Sequence, residues 1–230
     1  MDYKYLFFDL DGTLWDFNAN SEDTLLELYT HFHLDQSFED FHSMRDLFMT
    51  LNNRLWQAYR EGQIDRERLK WYRFSLLLEE AGIRDETLAR ELDQFYLSRS
   101  PYKTKLISGA MEVLDCLEKS YDLHIITNGF NDVQFKKIEN SGLAPFFKTV
   151  TTAEHSGHLK PDAHIFKMAL DRAGATQAES IMIGDQYHVD VIGARNAGMD
   201  QIYLMSEEEL PEKIESTFQI GELRGLLEIF

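Results

Sequence analysis

One cysteine, Cys116, stands in the 230 residues, so an internal disulfide is excluded. Its place in Met111-Glu112-Val113-Leu114-Asp115-Cys116-Leu117 reads as helix packing, a structural role. Long apolar runs are also missing. No stretch approaches the roughly 20 residues needed to cross a bilayer, and Asp2 and Lys4 interrupt anything resembling a secretory leader. A cytoplasmic protein with no membrane partner is the expectation. Positive charge is scarce, with 23 Lys and Arg against 40 Asp and Glu and a formal net charge of −17. A field of that sign repels nucleic-acid polymers, which are excluded as partners. It leaves room for a small anionic substrate, because local cations and a metal act at short range. Internal repeats and low-complexity tracts are absent as well.

What is present suits a globular chain. With 43% hydrophobic side chains and 27% charged, it can bury one sizeable core, or a core plus a smaller attachment. Tyr5 to Phe8 reads as a buried strand within residues 4–9. Residues 20–100 hold no convincing strand but four helical stripes. These are Leu25, Leu28, Tyr29 and Phe32; Phe41, Met44, Phe48, Leu51 and Leu55; Leu69, Tyr72 and Leu76; and Leu88, Leu92, Phe95 and Tyr96, punctuated by Gly62, Gly82 and Pro101.

From residue 101 the pattern alternates: helix 109–119, strand 122–127, helix 131–140, strand 147–152, helix 162–173, strand 180–184, helix 188–197, strand 201–204. Apolar strands separated by helices predict an α/β fold, a doubly wound parallel sheet covered on both faces. The helical segment is then an insertion after the first strand, expected over the sheet's carboxyl edge as a lid. The predicted division is core at 1–17, helical insertion at 18–98 and the rest of the core at 99–230. Gly221 to Phe230 reads as a final helix or strand with no chemical signal.

Chemistry concentrates at the ends of the predicted strands. Asp9-Leu10-Asp11-Gly12-Thr13 follows the first, and in extended backbone Asp9 and Asp11 share a face while Leu10 points into packing. Two like charges there are relieved by a divalent cation or a shared proton. Thr127-Asn128-Gly129 follows the strand ending at Ile126 and offers a hydroxyl, an amide and flexible backbone to phosphate oxygens. Leu159-Lys160-Pro161-Asp162 puts an ammonium just ahead of a helix, and Gly184-Asp185 with Asp190 adds two carboxylates after another strand. Each fragment alone has an ordinary explanation as a turn, a helix cap or a solvated charge. Together they place Asp9, Asp11, Thr127, Lys160 and Asp185 at one edge of one sheet. His155 and His158 lie on a loop without a cysteine partner, which argues against zinc. His31 and His33 read as surface groups, and Arg54 and Trp56 as surface and packing groups.

The set resembles the haloacid dehalogenase superfamily in its phosphatase form, across essentially the whole chain, with the helical insertion similar to that superfamily's type 1 cap. Leu14-Trp15-Asp16-Phe17, Asn53-Arg54-Leu55-Trp56 and Thr127-Asn128-Gly129-Phe130 resemble its pyrimidine 5'-nucleotidase branch. The resemblance implies a Mg²⁺-dependent phosphate monoester hydrolase working through an aspartyl phosphate. In it Asp9 is the nucleophile and Asp11 the general acid and base. The metal is held by the Asp9 side chain, the Asp11 backbone carbonyl and Asp185, with Asp190 in its outer shell. Thr127, the Asn128 amide and Lys160 contact the phosphate oxygens, and Lys160 also neutralises Asp9. The implied partner is a small phosphorylated metabolite, such as a nucleoside monophosphate. A sugar phosphate phosphatase or a phosphomutase carries the same motifs. A receiver-like phospho-acceptor module is the reading from another class, but it has no need of Asp11 or of a long helical insertion. A dehalogenase is disfavoured because it usually lacks the second acidic residue.

Overall fold

The computed structural model describes residues 2–205 and 214–230. In chain order its elements are β1 (Tyr5–Phe8), α1 (Phe17–His31), α2 (Phe41–Arg60), α3 (Arg66–Glu80), α4 (Glu86–Arg99), α5 (Ala110–Leu117), β2 (Asp122–Thr127), α6 (Asn131–Asn140), β3 (Phe147–Thr152), α7 (Ala153–Ser156), α8 (Ala163–Ala173), β4 (Ser180–Gly184), α9 (Ile192–Asn196), β5 (Asp200–Leu204), β6 (Phe218–Ile220) and α10 (Leu226–Ile229). Two compact units result, Met1–Phe17 with Thr104–Phe230, and Asn18–Lys103.

In the first unit, among the described residues, six parallel strands run in the order β3-β2-β1-β4-β5-β6. Period-2 alternation explains why both faces are apolar. Leu6, Phe8, Leu123, Ile125, Ile181 and Ile183 join a layer with Val113, Leu114 and Leu117 of α5, Ile138 of α6 and Leu226 of α10. Phe7, Ile126 and Met182 join the opposite layer with Ile165, Phe166 and Ala169 of α8 and Ala194 of α9. The sheet is doubly wound, as the alternating pattern predicts.

The second unit is all helix among its described elements. Each of α2, α3 and α4 starts on an aspartate N-cap, where Asp40, Asp65 and Asp85 accept from the backbone N–H of Ser43, Arg68 and Leu88. Leu25, Leu28, Met44, Phe48, Phe74, Leu77 and Leu92 form its core. The α3 stripe departs from the predicted one: Arg73, Phe74, Leu77 and Leu78 are buried, whereas Tyr72 and Leu76 are only partly so. Arg73 turns the inward face of α3 because it has a buried partner, Asp93 of α4, at 3.1 Å.

Two other expectations are corrected. Cys116 is exposed, because the inward stripe of α5 is Ala110, Val113, Leu114 and Leu117, and Cys116 falls off it. The helix expected over 188–197 is a π-helical turn, Tyr187–Val191, followed by the short α9. Gly221 to Phe230, read as a final helix or strand, holds a 3-10 turn and the four-residue helix α10, and the three-residue strand β6 precedes it, too short to show a pattern. Among the described residues no helix is long and apolar enough to cross a membrane.

Candidate active site

The chain leaves β1 toward β2 and β3 on one side and returns through β4, β5 and β6 on the other, so strand order reverses at β1 and β4. In open α/β sheets the crevice at such a reversal, beyond the carboxyl ends, is where ligands bind. Asp9 is the first residue past β1. Its N–H donates to the Ile183 carbonyl at 2.9 Å, which keeps it beside β4, and its side chain is buried. Leu10 turns into the apolar layer. Gly12 has a φ of +92°, and a Cβ there would lie 2.4 Å from Asp185 Oδ2. Glycine therefore admits the Asp185 carboxylate against this turn, and the Thr13 hydroxyl secures it with a 2.7 Å bond to Oδ1.

Lys160 reaches the same point from the opposite side. The Asn128 side chain splints its backbone, accepting from Lys160 N at 2.7 Å and donating to Lys160 O at 3.0 Å, ahead of a cis Lys160–Pro161 bond. The ammonium is 1% exposed, so it is no solvated charge. Its Nζ donates to Asp9 Oδ1 at 2.5 Å and to the Ile126 carbonyl at 2.8 Å, and lies 2.7 Å from Asp190 Oδ1. The π-helical turn aims Asp190 back at this lysine. A Cβ on Gly184 would come within 2.4 Å of Asp190 Oδ2, and the same oxygen accepts from Gln186 N at 3.0 Å.

The third approach is from β2 and α6. The Thr127 hydroxyl oxygen accepts from Gly129 N at 3.1 Å and from Gln134 Nε2 at 2.7 Å, which leaves its own O–H as a donor. Gln134 Nε2 also donates to Asp11 Oδ2 at 2.7 Å, and Lys137 Nζ to Asp11 Oδ1 at 2.5 Å. Asp9, Lys160, Asp185 and Asp190 thus converge, while Asp11 is tied to α6. Gln134 and Lys137 escaped the sequence reading. Their one signal was two polar residues three apart on a helix face that ought to be apolar.

Electrostatics favour a cation here. Burial pushes the Asp9 carboxyl well above the usual range; Lys160 opposes this, and Asp190 and Asp185 add to it. Burial and the Asp190 charge push Asp185 up to about 7. Burial alone would pull Lys160 down, but Asp190 and Asp9 outweigh it and hold its ammonium above the ordinary value. One oxygen from each of Asp9, Asp185 and Asp190 lies within 4.8 Å of the others. Three carboxylates, those of Asp9 and Asp190 buried and that of Asp185 half-buried, against one ammonium leave an excess of negative charge on hard oxygen donors, and these residues fit a hard divalent cation. His158, Asp162 and His164 form a second cluster, on the surface. There the two imidazoles stack 4.5 Å apart and each bonds the carboxylate through Nδ1, so their in-plane lone pairs run nearly parallel and do not converge on one ion.

Residues 6–204 match the family described as haloacid dehalogenase-like hydrolase. The HAD-hydrolase YfnB of Bacillus subtilis is 34% identical over 99% of this chain and 95% of that protein. Its crystal structure, bound to magnesium, superposes with a TM-score of 0.88 at 31% identity, covering 100% of this chain and 99% of that one. The pyrimidine 5'-nucleotidase PynA of Streptococcus pneumoniae is 32% identical over 99% of this chain and 95% of its own length. The pyrimidine 5'-nucleotidase YjjG of Escherichia coli is 28% identical over 98% and 97%.

Proposed function

The chain belongs to the haloacid dehalogenase-like hydrolase family, and from that premise we propose that it hydrolyses phosphate monoesters through an aspartyl phosphate on Asp9, with pyrimidine nucleoside 5'-monophosphates as substrates. The observation that carries the reaction is the buried Asp9 carboxylate at the strand-order reversal, held at Oδ1 by Lys160 so that Oδ2 is left to attack. The substrate class rests on PynA and YjjG, which match over nearly the whole chain.

Asp9 Oδ2 bonds to phosphorus as the ester oxygen departs. A carboxylate attacking a phosphate dianion needs the charge between them neutralised. Lys160 supplies one positive charge beside the nucleophile. Mg²⁺ bound by Asp9, Asp185 and the Asp11 carbonyl would supply the rest, polarising the phosphate, and Asp190 would hold Lys160 and the 184–190 turn in place. The O–H of Thr127 donates to a phosphate oxygen where transition-state charge gathers. The Asn128 side chain acts through Lys160, and its backbone amide faces the substrate. Asp11 gives a proton to the departing oxygen and takes one from the water that splits the acyl phosphate.

Phosphate release from UMP, dUMP, sugar phosphates and phosphoglycolate, with Mg²⁺ and with EDTA, tests both levels. Metal-dependent release, fastest from the pyrimidine nucleotides, is the expected result. Equal rates on all would end the nucleotidase assignment, and no release from any would end the reaction class.

A further inference from the structure

Both oxygens of Asp11 are gripped from one face of α6. Gln134 and Lys137 are three residues apart, hence neighbours on that face, and each donates to a different oxygen, at 2.7 and 2.5 Å. The grip is itself rigid. Gln134 is fully buried, wedged where a Cβ on Gly129 would lie 2.1 Å from its Nε2, and its Oε1 has no partner. Lys137 is 4% exposed, with Nζ 4.0 Å from the centre of the Trp15 ring and 5.8 Å from that of Phe17. Burying an ammonium is costly unless it is paired, and among the described residues its ion pair is with Asp11. A fold needing only an apolar α6 face would have put leucine at both positions.

The Asp11 side chain remains 26% exposed. A carboxylate offers about four acceptor positions, and the two donors occupy one on each oxygen. The others are left free of these two donors. Resting on the phosphatase reading above, we propose that Lys137 and Gln134 are positioning residues that aim Asp11 at the leaving-group oxygen. As Asp9 bonds to phosphorus, the electron pair of the breaking P–O bond goes to the ester oxygen, which takes the proton from Asp11. The carboxylate left behind stays against the Lys137 ammonium. Without Lys137 nothing else in the described contacts holds Oδ1, and Gln134 alone, on Oδ2, no longer fixes the carboxyl's direction. Lys137 is the cleaner probe, because Gln134 also bonds Thr127.

The experiment compares kcat/KM for 4-nitrophenyl phosphate, whose phenolate departs with little protonation, and for a nucleoside 5'-monophosphate, whose alkoxide needs a proton. This parameter reports steps up to the first irreversible one and is blind to later acyl-phosphate hydrolysis. Asp11→Asn should raise the aryl-to-alkyl ratio by roughly 10²-fold or more, the range of a proton-transfer group. Lys137→Met should raise it by about 10-fold or more, and in the Asp11→Asn background it should change the ratio less than about 2-fold. A merely structural role lowers both substrates in proportion, so an unchanged ratio in Lys137→Met overturns the proposal. An unchanged ratio in Asp11→Asn itself removes Asp11 as the acid, a separate failure that takes the proposal with it. Should Lys137→Met not fold by circular dichroism, Lys137→Gln and Gln134→Leu carry the same comparison.

Discussion

In the helical unit one buried guanidinium meets one buried carboxylate. Arg73 bonds Asp93 at 3.1 Å and Asn52 Oδ1 at 3.0 Å, its Cζ lies 5.6 to 5.9 Å from the Phe48, Phe74 and Tyr96 ring centres, and charge balances. At the end of β1, by contrast, one ammonium is set among Asp9, Asp190 and the neighbouring Asp185. Burial lifts both Asp93 and Asp9, but Asp93 has a cation to itself, whereas Asp9 shares one and is pushed further by two carboxylates. The first arrangement is complete as it stands. The second stores like-charge repulsion that a bound cation relieves, the pattern of a site rather than of a scaffold.

The sharpest way to break this contrast is to neutralise one aspartate in each cluster. Asp9→Asn is expected to lower phosphate release by on the order of 10⁴-fold or more while thermal stability is kept or raised, because a buried like charge is removed. Wild-type turnover in that variant would end the nucleophile assignment. Asp93→Ala should do the reverse to stability, costing about 3–5 kcal/mol in urea unfolding, since Arg73 is left buried and unpaired. A loss below about 1 kcal/mol would mean that the two clusters are alike.

A third buried group, neutral His124, sharpens the comparison through pH. Its Nδ1 meets Thr149 Oγ1 at 2.8 Å, its ring stacks on Phe7 at 4.9 Å, and burial pulls it down to about 4. A histidine depressed in the folded state is protonated first in the unfolded chain, so stability is lost as pH falls from about 6.5 to about 4, by on the order of 3 kcal/mol. His124→Gln, which keeps a partner for Thr149 and does not titrate, should flatten that acid limb; an unchanged limb would assign it elsewhere.

Asp185 acts with the opposite sign. Its folded carboxyl sits at about 7 against an ordinary 3.8, so the metal-free protein loses stability from this group as pH rises through that window. Mg²⁺ should offset the loss, adding about 2.7 kcal/mol at a hundred times its Kd. The gain should be larger at pH 8 than at pH 5.5 and should shrink in Asp185→Asn. Equal gains in wild type and Asp185→Asn, read from thermal melts, would take the metal away from this cluster.

Much of the fold and part of the site were legible in the chain because their signals are local. Strand 180–184 and helix 131–140 are found where the apolar run and the alternation of strands with helices put them, and Asp9, Thr127 and Asp185 stand where strands end. Cys116 was misread although the stripe Ala110, Val113, Leu114, Leu117 excludes it. The π-helical turn and the inward Arg73 were not legible, since each depends on a partner brought by folding: Asp190 against Gly184, and Asp93 across α3 and α4.

The sequence by itself determined the alternating elements, the carboxylates at the strand ends and the family they resemble. Only tertiary structure decided that Lys160 is shared between Asp9 and Asp190, and that Asp11 answers to Gln134 and Lys137 rather than to the other aspartates. Periodicity and turn chemistry act over a few residues and can be read one window at a time. The pairing of charges 126 and 151 residues apart is settled only when the sheet and its helices bring distant segments together and burial makes any unpaired charge too costly to leave.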